Sequence, residues 1–142
     1  MLSNIFLHYV LDLWFEKVVK SQTKGECHLV RYADDFIIMT QLADDAKVIV
    51  EHLRERFAKF DLELHPEKTR VIGFGRYEEQ KAKRENRKAG TFDFLGFTHY
   101  CGKSRSGNFL VGRKTSGKKF RRKCEAMKEW IKSTRNACKV KE

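Results

Sequence analysis

Two adjacent carboxylates, Asp34 and Asp35, are the side chains in this sequence best suited to chemistry. They follow Tyr32 and Ala33 in the segment CHLVRYADDFIIMT, where runs rich in Val, Ile, Phe and Tyr flank a short break. This pattern predicts a β-hairpin with the carboxylates at its tip. Hard cations such as Mg²⁺ take oxygen ligands, usually one or two carboxylates plus substrate phosphates. The pair is therefore a candidate divalent-metal site. The alternative is that Asp-Asp simply fills a turn, for which aspartate is well suited.

The charge of the whole chain favours a polyanionic partner. Its 142 residues include 30 Lys and Arg against 19 Asp and Glu, which gives a formal net charge of +11. Such an excess favours nucleic acid first and an anionic membrane surface second. One stretch concentrates cations that could neutralise phosphates, and the alternative is a basic face that only contacts solvent. These cations are Lys103, Arg105, Arg113, Lys114, Lys118, Lys119, Arg121, Arg122 and Lys123.

Cysteine and histidine usage argues against several classes of site. Cys27, Cys101, Cys124 and Cys138 form no C-x-x-C pair, and the histidines are scattered along the chain. Neither a zinc ribbon nor a thioredoxin-type redox site is therefore indicated. Free cysteines without a signal peptide predict a cytoplasmic location. No run reaches the roughly 18 uninterrupted apolar residues that a membrane span requires.

Apolar periodicity predicts the elements that would position the acidic tip. Residues 2–19 form a nearly all-apolar pattern, typical of a helix that needs packing partners on most sides. Its narrow polar stripe consists of Asn4, His8, Asp12 and Glu16. Residues 43–60 place apolar side chains at helical spacing with charges opposite, which predicts an amphipathic helix. Residues 65–75 predict a short turn followed by a strand, and residues 76–90 predict a charged loop or an exposed helix.

The C-terminal half predicts more strands and one further helix. Residues 91–100 alternate aromatic and polar side chains and predict a strand. A Gly-rich basic turn then leads into residues 109–115, which together predict a hairpin. Residues 118–136 form a very basic helical pattern with one apolar stripe. The stripe consists of Phe120, Cys124, Met127 and Ile131. The expected fold class is α+β, an antiparallel sheet backed by helices and followed by a helical segment.

The segment HLVRYADDFIIM resembles the central motif of reverse transcriptases. The resemblance continues along the chain in the family's order, from residue 2 to about residue 135. LSNIFLHYVLD is similar to the helix after the family's Gln-Gly motif, and LELHPEKT to the motif after the palm helix. FDFLGFTHY is similar to the primer-grip hairpin, and RKTSGKKFRRK to the entry to the thumb. The charged stretch before and around FDFLGFTHY most resembles bacterial group II intron-encoded reverse transcriptase/maturase proteins.

The resemblance implies a role for each matching residue. Asp34 would bind the catalytic metals, and Asp35 would be the secondary carboxylate at the tip. Tyr32 and Ala33 would line the floor beneath the primer end and the incoming nucleotide. Lys68 would approach the leaving pyrophosphate, where it could neutralise charge or donate a proton. The primer grip would consist of Phe94, Leu95, Gly96 and Phe97. The alternatives are a plain surface lysine at position 68 and core packing for the two phenylalanines.

The resemblance also implies a cofactor, partners and a division of the chain. Mg²⁺ would be the metal, with Mn²⁺ as a substitute, and the partners would be RNA template, DNA primer, dNTPs and intron RNA. The nine clustered cations would contact the nucleic-acid backbone. Residues 1–112 would form the C-terminal part of a ferredoxin-like palm, and residues 113–142 the start of the thumb.

The same resemblance predicts an incomplete active site. In this family a further aspartate comes from an earlier strand, upstream of the Gln-Gly motif, and neither that strand nor the fingers has a match here. The abrupt apolar start after Met1 suggests that an N-terminal part is missing. The expectation is a fragment that is inactive as an isolated polypeptide.

Two other functions are compatible with the sequence. A non-catalytic RNA-binding module would account for the basic residues and for Phe92, Phe94 and Phe97, since the RNA-recognition module stacks bases on strand aromatics. That module gives no reason for Asp-Asp at a hairpin tip, and the aromatic run lacks its full signature. A degenerate gene remnant without activity is the third interpretation.

Overall fold

The computed structural model describes residues 2–135, so Cys138 and the end of the predicted C-terminal helix at Asn136 lie outside the described residues. The chain divides into two compact units, Met1–Gly73 and Phe74–Glu142. Each unit has its own small antiparallel sheet, with two strands in the first and three in the second. The predicted α+β class is confirmed. None of the helices within residues 2–135 is both long and apolar enough to cross a membrane.

The first unit begins with one continuous helix, named α1, over residues 2–22. Its segments are α-helical at Leu2–Leu7, π-helical at His8–Asp12 and Phe15–Val19, and α-helical again at Lys20–Gln22. Strands β1 (Cys27–Tyr32) and β2 (Asp35–Thr40) follow as an antiparallel hairpin, and α2 spans Ala43–Ala58. The predicted first helix, hairpin and amphipathic helix are therefore confirmed.

The core of this unit lies between α1, α2 and the hairpin. Helix α1 contributes Val10, Leu11, Phe15 and Val19, and α2 contributes Ile49, Leu53 and Phe57 at helical spacing. Cys27 of β1 is buried with them. Packing covers only one face of α1, because Leu2, Ile5, Phe6 and Tyr9 at its first turns remain exposed.

The prediction of a strand within residues 65–75 is wrong. The turn at its start forms, with the Thr69 amide donating to the His65 carbonyl at 2.9 Å. The residues that follow adopt neither helix nor strand. A strand needs a hydrogen-bonded neighbour, and no strand of the described chain pairs with this segment.

The second unit contains α3 (Glu78–Arg84), three strands and a long final helix. Strands β3 (Thr91–Phe94), β4 (Phe97–Lys103) and β5 (Phe109–Thr115) form an antiparallel meander in that order. The helix alternative for residues 76–90 is thus confirmed, but α3 buries Glu78 and Ala82 and is not fully exposed. The predicted strand at 91–100 is two strands joined by a tight turn.

The final helix, α4 (Gly117–Arg135), buries none of its residues. Phe120, Met127 and Ile131 of the predicted stripe are at least half exposed, as is Trp130. The proposed boundary between residues 112 and 113 lies inside β5. The division into palm and thumb stays a prediction.

Candidate active site

The acidic tip is a two-residue turn with an unusual backbone. Tyr32 pairs with Asp35 as the last rung of the β1–β2 ladder, so Ala33 and Asp34 alone form the loop. Ala33 has a φ of 52°, in the left-handed region that a residue with a Cβ adopts at a cost. Asp34 and Asp35 are both exposed. Since Asp34 belongs to the turn rather than to a strand, alternation of side chains along a strand does not determine its direction.

Arg31 ties this tip to helix α1. Its Nε donates to Asp12 Oδ1 at 2.8 Å and its Nη2 to Asp12 Oδ2 at 2.6 Å, a two-pronged ion pair. Its Nη1 donates to the Ala33 carbonyl at 2.9 Å and to Asn4 Oδ1 at 3.3 Å. The guanidinium therefore connects the polar stripe of α1 with the backbone that carries Asp34.

The Arg31–Asp12 pair was not predicted from the sequence. Its only signal was the polar stripe Asn4, His8 and Asp12 on an apolar helix, and His8 Nδ1 also lies 3.3 Å from Asp12. The hydrogen bonds from Arg31 lower the pKa of Asp12 below its usual value, because they stabilise the carboxylate. Asp12 in turn raises the pKa of Arg31, and the charge of Asp34 adds to that effect.

The described residues offer two carboxylates to a metal at the tip. No group of three or more His, Cys, Asp or Glu side chains able to hold a metal ion occurs among residues 2–135. Mg²⁺ in phosphoryl-transfer sites commonly binds one or two carboxylates together with substrate phosphates. Exposed Asp34 and Asp35 fit that pattern as the protein's share of the ligands.

Lys68 lies in the turn that follows residue 65 of the same unit. Its amide donates to the His65 carbonyl at 3.2 Å, and its side chain is exposed. Among the described contacts, no hydrogen bond or ion pair joins Lys68 to Asp34 or Asp35. Its location is compatible both with a ligand-binding lysine and with a plain surface lysine.

The predicted primer grip is the tight turn of the β3–β4 hairpin. Phe94 pairs with Phe97, and both loop residues have positive φ, 50° at Leu95 and 85° at Gly96. Two positive φ values are typical of a type I′ turn, which suits the twist of a hairpin. Phe94 is partly buried, which favours core packing, whereas Phe97 is 46% exposed and accessible to a partner.

The start of α4 is attached to this hairpin. The Ser116 amide donates to the Gly96 carbonyl at 3.0 Å, and the Ser116 hydroxyl donates to Asp93 Oδ2 at 3.1 Å. Thr98 also donates a hydrogen bond to Asp93. The Lys119 side chain lies over Gly96 so closely that a Cβ there would clash with Nζ. Glycine at position 96 is favoured chiefly by its φ of 85°, because the flexible end of the Lys119 side chain could move away from an added Cβ.

The nine clustered cations all lie in the second unit and are all exposed. Lys103 ends β4, Arg105 lies in the β4–β5 turn, Arg113 and Lys114 belong to β5, and the rest belong to α4. Lys114 lies over the Tyr100 ring at 5.8 Å. None of the nine forms an ion pair with a carboxylate of the described chain, so their charge remains available to an external anion.

Comparison with known proteins assigns the family. The family model described as reverse transcriptase (RNA-dependent DNA polymerase) matches residues 1–99, which include the acidic tip, Lys68 and the β3–β4 turn. Searches of curated proteins and of solved structures found no match. Because the matched segment covers well over half of the chain, the protein belongs to the reverse transcriptase family.

Proposed function

We propose that this chain is the C-terminal palm and the start of the thumb of a group II intron-type RNA-directed DNA polymerase. The observation that carries the proposal is the exposed Asp34–Asp35 tip, held by Arg31, in a chain that belongs to the reverse transcriptase family. The substrates would be an RNA template, a DNA primer and dNTPs, and intron RNA would be a further partner.

The tip would hold the metals of phosphoryl transfer. Asp34 would be the main metal ligand and Asp35 the second. When bound, the divalent ions stabilise the charge that develops on the attacking and leaving oxygens. The exposed ring of Tyr32 and the backbone of Ala33 would support the primer end and the nucleotide. Lys68 would neutralise charge on the departing diphosphate or donate a proton to it.

The second unit would hold the nucleic acid. The turn at Leu95 and Gly96, with Phe97 exposed beside it, would contact the primer strand. The clustered cations would bind phosphates, which position a duplex without reading its sequence. The attachment of α4 to the β3–β4 hairpin through Ser116 would place these two surfaces in a constant relation within that unit.

A third carboxylate would have to come from elsewhere. A two-metal site needs ligands that hold both ions roughly 3.5–4 Å apart. Among the described residues only Asp34 and Asp35 are offered at the tip, and Asp12 is occupied by Arg31. We therefore propose that the 142-residue chain by itself does not extend a primer.

A primer-extension assay tests the proposal in two steps. The chain alone, with Mg²⁺, an RNA template and dNTPs, should give no extension. Addition of a separately expressed upstream fragment of a family relative, with its aspartate-bearing strand and fingers, should give RNA-templated extension. Efficient Asp34-dependent extension by the chain alone would show that the site is already complete. Suppose that several upstream fragments restore primer extension to other split relatives but not to this chain. That result would contradict the polymerase assignment.

The alternative is a non-catalytic RNA-binding module. The unpaired cations and the stacked Phe92 and His99 rings, 4.9 Å apart, favour it, since both lie in the second unit and need no acidic tip. Under both functions, we expect the chain to bind RNA and the Asp34→Asn variant to bind it equally well. Only polymerase function predicts that the same variant removes incorporation in the complemented assay.

A further inference from the structure

Arg31 binds both the carboxylate of Asp12 and the backbone of the tip that carries Asp34. Its Nε and Nη2 bind Asp12, and its Nη1 binds the carbonyl of Ala33, one peptide from Asp34. The Arg31 side chain is only 15% exposed, whereas Asp34 and Asp35 are exposed. A guanidinium is thus held beside the metal-binding tip without an ion pair to either of its carboxylates in the described structure.

A guanidinium and a divalent cation compete for the same carboxylate oxygens. The planar fork of arginine matches a carboxylate with two parallel hydrogen bonds, so a free arginine is an effective carboxylate ligand. In this structure Asp12 accepts from one complete edge of the fork. The remaining Nη1 is directed to two neutral oxygens, those of Ala33 and Asn4.

We propose that Asp12 is a positioning residue that holds Arg31 away from Asp34 and so keeps that carboxylate free for a divalent metal. Asp12 itself does not touch the metal. Arg31, fixed by Asp12, supports the strained tip by a hydrogen bond to the neutral Ala33 carbonyl, and this contact leaves the Asp34 carboxylate unoccupied. This inference rests on the proposed function, because it concerns the metal site at the tip.

The test measures metal binding by the complete 142-residue chain. Mn²⁺ added to ¹⁵N-labelled protein should broaden the backbone amides around Asp34, and a titration gives a Kd for the tip. In Asp12→Asn the released guanidinium should bind Asp34 and raise this Kd by roughly 2–5-fold, the size of an exposed charge interaction. The double variant Asp12→Asn/Arg31→Gln should lower the Kd from the Asp12→Asn value back toward that of the parent, because no guanidinium remains to compete for Asp34, even though the Ala33 carbonyl also loses its donor.

Glu16→Gln is the matched control for charge. Glu16 lies on the same polar stripe and its loss changes the net charge equally, but it pairs with Lys20 at 2.7 Å rather than with Arg31. Its Kd should equal that of the parent. An equal effect of Glu16→Gln and Asp12→Asn would mean that general charge, and not Arg31, determines metal affinity at the tip.

Other outcomes would overturn the inference in distinguishable ways. If the Kd for Mn²⁺ is unchanged in Asp12→Asn, or if the double variant binds Mn²⁺ as weakly as Asp12→Asn does, the inference about Asp12 is contradicted. The metal assignment would still stand. No Mn²⁺ broadening at the tip of the parent removes the metal assignment and this inference together. If Asp12→Asn does not fold, hydrogen exchange in the parent protein tests the inference instead. Hydrogen exchange of the Arg31 Nε–H should stay slow before and after Mg²⁺ saturation, and fast exchange in either state would contradict a permanent Arg31–Asp12 pair.

Discussion

At the scale of single residues, the acidic tip depends on charge and on a backbone held at positive φ. Asp34 is exposed in a two-residue turn, and Ala33 before it has a φ of 52°. The Arg31 hydrogen bond to the Ala33 carbonyl stabilises that turn from the side of α1. Local sequence supplies the two carboxylates. Arg31 of β1, itself bound by Asp12 of α1, holds the turn that carries them.

Removal of the Asp34 charge should abolish nucleotide incorporation in the complemented assay. Asp34→Asn keeps the shape but deletes the anion that would bind the metals. The loss should exceed the roughly 10–100-fold typical of outer-shell partners of a metal. Single-turnover incorporation, template binding and thermal melting measure rate, affinity and folding separately. Asp35→Asn should have a smaller effect, as expected for the secondary carboxylate.

Asp44→Asn is the control for that substitution. Asp44 is 94% exposed at the start of α2 and only weakly paired with Lys47, so its loss should leave incorporation unchanged. Incorporation by Asp34→Asn at close to the parent rate would show that Asp34 is a turn residue and that the metal assignment is wrong.

The stabilisation by the Arg31–Asp12 pair should depend on pH. The pKa of Asp12 is lowered from its ordinary value of 3.8 chiefly by hydrogen bonds from Arg31. A carboxylate with a depressed folded-state pKa stabilises the protein above its unfolded pKa and loses this effect as pH falls through the folded pKa. The difference in unfolding free energy between parent and Asp12→Asn should therefore be constant near neutral pH and shrink below pH 3.8.

Urea denaturation at a series of pH values measures that difference. Glu16→Gln serves as the comparison, because its exposed pair with Lys20 should contribute little at any pH. A difference between parent and Asp12→Asn that stays the same from neutral pH to well below 3.8 would contradict a role for the Asp12 charge.

At the scale of elements, the second unit is organised by close contacts to glycine backbone. The Tyr100 ring of β4 lies over Gly112 of β5, where a Cβ would come within 2.8 Å of three ring atoms. Lys119 of α4 lies over Gly96 in the β3–β4 turn. Asp93 accepts from both Thr98 and Ser116, which joins that turn to α4. These contacts position the predicted primer grip relative to the first basic residues of the helix.

Gly112→Ala should destabilise the β4–β5 pair. The added methyl group would overlap three atoms of the Tyr100 ring, so either the ring or the strand must move. Overpacking of this kind costs about 1–3 kcal/mol of unfolding free energy. Chemical denaturation followed by Tyr and Trp fluorescence measures it.

Gly102→Ala is the matched control in the same sheet. A Cβ at Gly102 would lie 3.5 Å from its nearest neighbour, an ordinary contact. We expect its unfolding free energy to stay within about 0.5 kcal/mol of the parent. Equal destabilisation by both substitutions would show that loss of glycine, and not contact with Tyr100, is responsible.

At the scale of the whole molecule, acidic and basic functions are separated along the chain. The acidic tip belongs to the first unit, and all nine clustered cations belong to the second. Among the described residues, none of these nine cations forms an ion pair with a carboxylate. Such a distribution favours binding of a nucleic-acid backbone by the second unit.

Binding to an RNA–DNA duplex should weaken steeply with salt. Each cation that neutralises a phosphate adds roughly 0.9 to the slope of log K against log salt on a duplex, so Arg121→Ala/Arg122→Ala/Lys123→Ala should flatten it by up to about 2.7. Fluorescence anisotropy over a range of KCl concentrations measures the slope. Lys47→Ala/Arg54→Ala/Lys59→Ala removes equal charge from exposed positions of the first unit and should leave the slope nearly unchanged. An identical slope for parent and α4 variant would mean that this cluster only contacts solvent.

The elements and the acidic tip were predictable from the sequence because their signals are local. Helical spacing in residues 43–60, the Ala-Asp-Asp break between two apolar runs, and the basic helix all reflect side chains a few positions apart. The first two of these segments also carry the resemblance to reverse transcriptases, which the family match over residues 1–99 confirms at that general level, whereas the basic helix lies outside the match. The group II type, the metal ligands and the roles of individual residues stay predictions, since fold and family do not test them.

Tertiary structure alone decided which side chains meet across elements. Arg31 and Asp12 are 19 positions apart, and Asp93 and Ser116 are 23 apart, so neither pair leaves a periodic signal. The strand expected within residues 65–75 fails for the same reason: its apolar pattern is local, but a strand exists only where another strand accepts its hydrogen bonds. A sequence determines what each segment can form, whereas long-range packing determines which of those possibilities is used.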